Sequence, residues 1–409
     1  MGDENIMKKK VIFKAPALTN SGYGVHSRQV AKYLIGLAEK QEIDLYISLV
    51  RWGNTSFALV PTMFDGLAGD IMKYARLPVD ADGKLQKCDI SIQLVLPNEW
   101  EPGLANYNVG MTAAVETDRC NPSWVNNCNK MNMVIVPSTH TLKTLKSSGK
   151  LTTPIHVIPE SFIDAIIAEP RKVDFGFETP FNYLVVGQLT ANNSLTDRKN
   201  IFNTIKSVCE AHQNDKDVGI VIKTNSGRGT LIDRQETTMK LKQVLHQVRQ
   251  GEFPKVYFIH GEMEDDEMAA LYRDPSIKAY ITLTRGEGYG LPILEAAASG
   301  LPVIATNWSG HLDFLNKGKF IKIGYTLDAI PPQRVDRRPK GEEDRCIWVE
   351  GTRWACPNES NVKQALKKFR KSPDIPGQWA KELGSKIREE YCYNNISDMY
   401  DELLSPVLK

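Results

Sequence analysis

The chain has 409 residues and a mass of 45.9 kDa, too long for one domain of the usual roughly 100–200 residues, so two domains are expected. With 42% hydrophobic and 24% charged residues, 29 Gly and 22 Pro, the composition excludes a disordered or collagen-like chain. Fifty-one Lys and Arg stand against 49 Asp and Glu, near neutral on either side of residue 165, so no global polycation is present to hold nucleic acid and a polyanion must meet a local patch.

No apolar run approaches the roughly 18–20 residues of a membrane span, and the polar, lysine-ended start of the chain lacks the apolar core of a secretory signal. A cytoplasmic protein is expected. The seven cysteines (88, 120, 128, 209, 346, 356 and 392) show no C-x-x-C spacing and no pairing with histidines at zinc-ligand distance, which reads as reduced thiols.

In chain order, a β-branched run from Lys8 (KKKVIFKAPAL) is followed by the turn Ser21-Gly22-Tyr23-Gly24. A segment with Val30, Leu34, Ile35 and Leu37 at helical spacing comes next. The rhythm continues with strands over IDLYISLV, 89–97, 108–116 and 133–138, the helix THTLKTLKSSG, and a strand at 155–159. Glu160 to Asp174 is irregular and charged, a linker. A second series opens at 181–188 and runs through DVGIVIKT, KVYFIHG, KAYITLT, the helix after Gly290, and PVIAT. The insert over about 326–346, with mixed charges and paired prolines, reads as a mobile surface loop. Residues 377–404 read as helical, a tail able to pack across both domains. Alternating strands and helices imply parallel sheets covered on both faces, with ligands in the crevice at the carboxyl ends of the strands.

The densest chemistry lies in ITLTRGEGYGLPILEAAASGLPVIAT, residues 281–306. Gly286, Gly288 and Gly290 are expected to free a tight turn with exposed N–H groups, and Pro292 opens a helix whose N-terminus adds partial positive charge, an anion site fit for a diphosphate. Glu287 in the turn and Glu295 in the helix lie eight residues apart: Glu295 suits the two hydroxyls of a ribose and Glu287 faces a reacting sugar. Glu116 and Asp118 follow an apolar strand at the cleft edge. There an acid can deprotonate an acceptor in an inverting enzyme or orient it in a retaining one. Gly22-x-Gly24 is followed by Ser27 where a dinucleotide fingerprint has its third glycine, which argues against a nicotinamide cofactor. Ser309-Gly310-His311, after PVIAT, is expected to open another helix beside the phosphates, with His311 either an ordinary residue of its cap or a contact.

The stretch GEGYGLPILEAAASGLPVIAT resembles the signature of the retaining GT-B glycosyltransferases of family GT4, glycosyltransferase group 1, including its two glutamates separated by seven residues, here Glu287 and Glu295. ETDRCNPSWVNNCNKMNMVIVPS at 116–138 and IHVIPESFID are similar, more weakly, to first-lobe and interlobe segments of that family. The resemblance implies two Rossmann-like doubly wound lobes facing across a cleft: an acceptor lobe over 1–165, a donor lobe over 175–380, and a C-terminal helix over 381–409 packing back toward the first lobe. It implies metal-independent transfer of a sugar, glucose as first choice, with retention, from a UDP-sugar or alternatively a GDP-sugar to a hydroxyl acceptor. Glu287 and Glu116 are its catalytic candidates. Donor contacts fall to Gly22, Tyr23 and Gly24, to Arg198 and Lys199, and to Gly288, Tyr289, Gly290, Leu291 and Glu295, while backbone near Ile259-His260-Gly261 meets the base. Two departures stand out: Gln188 occupies the place of a usual arginine, and the first-lobe histidine near the acceptor has no clear counterpart.

A near-neutral first lobe favours a soluble acceptor, a small hydroxyl compound or a glycan, over a membrane lipid. Hydroxymethylated DNA is an alternative, with Lys8 to Lys10, Lys143, Lys146, Lys150, Arg334, Arg337 and Arg338 as phosphate contacts. A nucleotide-sugar binding protein without catalysis is a third.

Overall fold

A computed structural model describes residues 8–53, 55, 66–169, 171–189 and 191–409. The first residues of the polar N-terminus and Thr190 of the VVGQLT segment lie outside the described residues.

The first lobe is built on a parallel sheet of six strands: β1 (Lys9–Ala15), β2 (Ile43–Leu49), β3 (Cys88–Leu94), β4 (Ala105–Met111), β5 (Met133–Val136) and β6 (Ile155–Val157). Their spatial order is β2-β1-β3-β4-β5-β6. The helices are α1 (Gly22–Glu39), α2 (Leu67–Tyr74), α3 (Pro122–Cys128) and α4 (Thr139–Ser148). On one face of the sheet Val11, Phe13, Ile90, Ile92, Val109 and Ile135 are buried in the apolar core, while Ser91, Gln93 and Asn108, on alternate positions of β3 and β4, are buried as a hydrogen-bonded polar group. Side-chain caps start the helices that border the cleft: Ser21 accepts from the Gly24 amide and Ser138 from the Thr141 amide. The strand read over 108–116 ends at Met111, and residues 112–116 instead run along the lobe junction.

The second lobe repeats the plan with β7 (Phe181–Val186), β8 (Val218–Lys223), β9 (Lys255–Ile259), β10 (Ile277–Thr282), β11 (Val303–Thr306) and β12 (Ile321–Ile323), in the order β12-β11-β10-β7-β8-β9. Around it lie α5 (Ile201–Ala211), α6 (Leu231–Val248), α7 (Asp265–Tyr272), α8 (Leu291–Ala298) and α9 (Leu312–Leu315). The chain crosses between lobes from β6 to β7, a stretch that includes the charged segment read as a linker.

The charged insert is not the mobile loop its composition suggested. It is held by an antiparallel hairpin, β13 (Tyr325–Ala329) and β14 (Arg353–Pro357). Ile330, Trp348 and Trp354 are buried in one cluster with Val95, Trp100, Val115, Trp124 and Val125 of the first lobe. Asn121 donates to the carbonyls of Glu343 and Cys346, and Trp124 Nε1 to that of Asp344. Burial of its tryptophans outweighs the loop-like composition of the rest.

After α10 (Glu359–Lys371), α11 (Asp374–Glu390) packs on the second lobe. Gly384 lies so close to α8 that a Cβ there would stand 2.8 Å from the Ala297 carbonyl oxygen. The last helix, α12 (Tyr393–Leu408), returns to the first lobe and buries Ile396, Tyr400, Leu404 and Leu408, one stripe at i,i+4 spacing, in its core. No helix of the described residues is long and apolar enough to cross a membrane.

Candidate active site

The glycine turn of residues 286–290 leads from β10 into α8 and is pressed against residues 113–116 of the first lobe. A Cβ on Gly286 would overlap the Glu116 carbonyl oxygen, and one on Gly288 would stand 2.5 Å from the Ala113 carbonyl oxygen. Of the three glycines only Gly290 has a positive φ, 109°. Gly286 and Gly288 are therefore small for the sake of the neighbouring lobe, a different reason from the tight turn expected from sequence. Ser138 Oγ donates to the Gly288 carbonyl at 2.5 Å and closes the junction from the tip of β5.

Glu287 is buried at this junction, and its carboxylate is saturated. Lys199 Nζ lies 2.8 Å from both oxygens, Arg198 Nη1 3.2 Å from Oε2, and Thr284 Oγ1 2.8 Å from Oε1. Burial alone would raise its pKa, but Lys199 and Arg198 together outweigh burial and hold the carboxyl down at about 2. Arg198 also reaches across the cleft, its Nη2 3.1 Å from Glu116 Oε1. One guanidinium thus joins the two candidate catalytic carboxylates, one from each lobe. The aliphatic stem of Lys199 packs over Gly187, where a Cβ would stand 3.6 Å from its Cδ.

The backbone of Glu287 is fixed by the turn after β11. Its N–H donates to Ser309 Oγ at 2.9 Å, and its carbonyl accepts from the Gly310 amide at 2.9 Å. His311 Nε2 lies 2.8 Å from the Thr306 carbonyl and must carry the proton there, so Nδ1 accepts from Ser309 Oγ at 3.3 Å. Burial lowers the His311 pKa, which suits this neutral tautomer. His311 is a support for the turn. Thr284 does not stand out in the sequence, since a lone hydroxyl residue after a strand is an ordinary feature, and Ser309, marked there as part of Ser309-Gly310-His311, acts on the backbone of Glu287.

The other expected donor residues divide. Glu295 is buried in α8, where it accepts from Tyr272 OH at 2.9 Å, and burial pushes its pKa up to about 8. The side chains of Tyr289 and Leu291 belong to the second-lobe core, and Tyr289 OH donates to the Glu160 carbonyl at 2.8 Å. Only their backbone is available to a ligand. Gly290 caps α8 without any side-chain cap. Gly22 is exposed, and Gly24 packs against the Thr19 carbonyl with no room for a Cβ. Between them Tyr23 stacks on Trp52 with ring centroids 4.0 Å apart, while its hydroxyl lies 2.9 Å from Thr112 Oγ1. Asp118 does not face the junction as a base. It accepts from Arg353 N at 2.7 Å and Arg353 Nε at 2.8 Å, clamping the hairpin. Near the expected base contact, Lys223 Nζ donates to the Gly261 carbonyl, and His260 Nε2 meets Asp233 Oδ1 at 2.8 Å.

Two doubly wound lobes joined by a crossing C-terminal helix, with a carboxylate and two cations at their junction, define the GT-B architecture. Residues 186–331 match the family of glycosyl transferases group 1, so the second lobe carries that family's sequence, as the resemblance implied. Among curated proteins, sucrose synthase of Solanum tuberosum is 24% identical over 147 residues, a match spanning 34% of this chain but only 18% of the potato protein. Among solved structures, HepE of Anabaena in complex with UDP and glucose aligns over 98% of this chain and 100% of its own, with a TM-score of 0.62 and 12% identity. Sucrose-phosphate synthase of Thermosynechococcus elongatus aligns over 98% and 99%, with a TM-score of 0.62 and 11% identity. At such identities the likeness establishes the fold.

Proposed function

We propose that the protein is a hexosyltransferase that moves a sugar, glucose as first choice, from a UDP-sugar to a hydroxyl acceptor, with retention and without a metal ion. The observation that carries this reading is the chain Lys199, Glu287, Arg198, Glu116 across the lobe junction. HepE, crystallised with UDP and glucose on the same fold, is the reason to try that nucleotide and sugar first, ahead of a GDP-sugar.

On this reading the donor diphosphate recruits Lys199 and Arg198, helped by the uncapped N-terminus of α8 and the backbone of Gly288 to Leu291. Glu287, relieved of its cations, faces the sugar and balances the positive charge that develops at the anomeric carbon. The bond from that carbon to the diphosphate oxygen breaks as the bond to the acceptor oxygen forms on the same face. The acceptor proton passes to the departing diphosphate. Glu116 orients the acceptor hydroxyl, and Glu295 turns from Tyr272 to the ribose. The loop Gly22-Tyr23-Gly24 lies beneath the phosphates. Lys199 and Arg198 supply the charge that Gln188 cannot.

The test is release of free nucleoside diphosphate from UDP-, GDP- and ADP-sugars, with glycans or hydroxymethylated duplex DNA added. Release from UDP-glucose, accelerated by a sugar acceptor, is expected. Stimulation by DNA alone would move the acceptor to nucleic acid. Donor binding without turnover against any acceptor would favour a binding protein.

A further inference from the structure

The arm between β13 and β14 places one arginine beside the junction without a carboxylate partner among the described residues. Arg334 Nε is buried with no hydrogen-bond partner, and among the described residues no carboxylate pairs with its guanidinium within ion-pair distance. An unsatisfied buried donor on a cation is costly and calls for an anion. The side chain does not lie loose on the surface. Its guanidinium stacks over Trp348 with 4.4 Å to the ring centroid. Trp348 is itself fixed, because Asp336 Oδ2 accepts from the amides of Ile347 and Trp348 and the Asp336 amide donates to the Trp348 carbonyl. Asp336, two residues from Arg334, thus spends that oxygen on the backbone of the arm.

The surroundings say which substrate this cation meets. Val335 and Trp348 pack in one cluster with Val50, Leu96 and Val115, the residues that follow β2, β3 and β4 at the carboxyl edge of the first sheet. In a two-lobed enzyme whose donor lies on the second lobe, that edge receives the acceptor. The charges Arg334 feels are those of Arg198, Glu116, Asp336 and Asp197. Burial is the larger pull on Arg334 and Arg198 adds repulsion, while Glu116, Asp336 and Asp197 lie near enough to attract it without pairing with it, so an anion must bond the guanidinium directly and away from those acids to relieve the burial.

We infer that Arg334 is the receptor for an anionic substituent, phosphate or carboxylate, on the sugar acceptor. This rests on the transferase reading and narrows its acceptor from any hydroxyl compound to an acidic sugar. A planar guanidinium held by an indole presents a fork that fits either anion in two parallel hydrogen bonds. Arg334 acts as a specificity residue and takes no part in the chemical step.

The experiment is calorimetry on the full chain saturated with UDP, titrated with glucose, glucose 6-phosphate and glucuronate, for the wild type and for Arg334→Gln and Arg334→Lys. The wild type should bind at least one acidic sugar roughly tenfold to a hundredfold more tightly than glucose. Arg334→Gln should abolish that preference with unchanged affinity for UDP, which also shows that the variant is folded, and Arg334→Lys should keep only part of it. Preference for phosphate over carboxylate, or the reverse, identifies the anion. Equal affinity for all three sugars, or a preference that survives Arg334→Gln, overturns the inference, as does Arg334-dependent binding of duplex DNA in place of sugars. A wild type that fails to bind UDP sinks the transferase reading instead, and the sugar titrations still report on Arg334.

Discussion

Asp118 and Arg353, 235 residues apart, are tied by three hydrogen bonds: the Asp118 amide donates to the Arg353 carbonyl at 2.9 Å, while the Asp118 carboxylate accepts from Arg353 N and Nε. The pair fastens a second-lobe hairpin to the loop that carries Glu116. Asp118→Ala should cost about 1 kcal/mol or less, since both bonds to its carboxylate lie at the exposed surface and the Arg353 side chain is half exposed. We expect a melting temperature lower by roughly 1–2 °C and faster proteolysis between residues 330 and 352. Asp118→Asn, which still accepts from the amide, should lose about half as much. Unchanged proteolysis in both variants would mean that the tryptophans alone hold the arm.

Glu287→Gln and Lys199→Gln should fail differently. The glutamine at 287 keeps its size but loses the charge set against Lys199 and Arg198, so turnover should fall about a hundredfold or more while UDP affinity stays within a few-fold. On the proposed reading Lys199 binds the donor diphosphate, so Lys199→Gln should weaken UDP-sugar binding roughly tenfold or more. Because the Glu287 carboxyl is held at about 2, its ion pairs stabilise the fold fully above the ordinary carboxylate range, and that stability is lost as pH falls toward 2. Steady-state kinetics and UDP calorimetry separate the two variants, and a Glu287→Gln enzyme with normal turnover would remove Glu287 from the mechanism.

Much of this centre was legible because it is local. Residues 281–306 bring strand, turn and helix together in one continuous stretch, so the turn and its two glutamates follow from the order of residues alone. What the sequence hid is what the fold assembles from afar. Glu116 and Arg198 meet from different lobes. Gly286 and Gly288 look like turn residues, yet their smallness serves carbonyls some 170 residues earlier. The insert misled for a compositional reason: its arginines and prolines describe a loop, while Trp348 and Trp354, in the stretch after Arg345, anchor it. Glu295 was readable as a polar helix residue, but its hydrogen bond to Tyr272 was not.

Gly286→Ala tests whether the lobes must close this tightly. The added methyl overlaps the Glu116 carbonyl oxygen, a backbone atom that no rotamer change can move aside. The lobes should stand apart, with a larger radius of gyration in X-ray scattering, and turnover should drop at least tenfold while the second lobe still binds UDP. Gly36→Ala, in the middle of α1 with open space where its Cβ would go, is the matched control. It should stabilise the protein by about 0.5–1 kcal/mol and leave activity unchanged. If Gly286→Ala remains fully active, the tight closure is not part of the working cycle.

Glu160 makes stability depend on alkaline pH. It is buried where the chain leaves β6, its Oε2 has no partner, and the closest cation candidate, His26 Nδ1, is 3.8 Å away. Burial holds His26 down at about 3, so it is neutral and offers no countercharge, while its Nε2 lies 3.0 Å from Tyr400 OH. With Glu295 adding repulsion, burial pushes the Glu160 carboxyl up to about 8, and Glu295 is raised to the same value. Folding therefore takes up protons at both groups. Their contribution is fully present below about 4.5, the ordinary value, and is lost as pH rises through 8. Glu160→Gln keeps the shape without the ionisation. Urea midpoints measured from pH 5 to pH 9 should fall by less in the variant than in the wild type, a difference on the order of 1–3 kcal/mol at the alkaline end. Glu160→Gln with Glu295→Gln should be flatter still. An unchanged slope in the single variant would mean that Glu160 stays ionised in the folded protein and that water or a rearranged His26 reaches it.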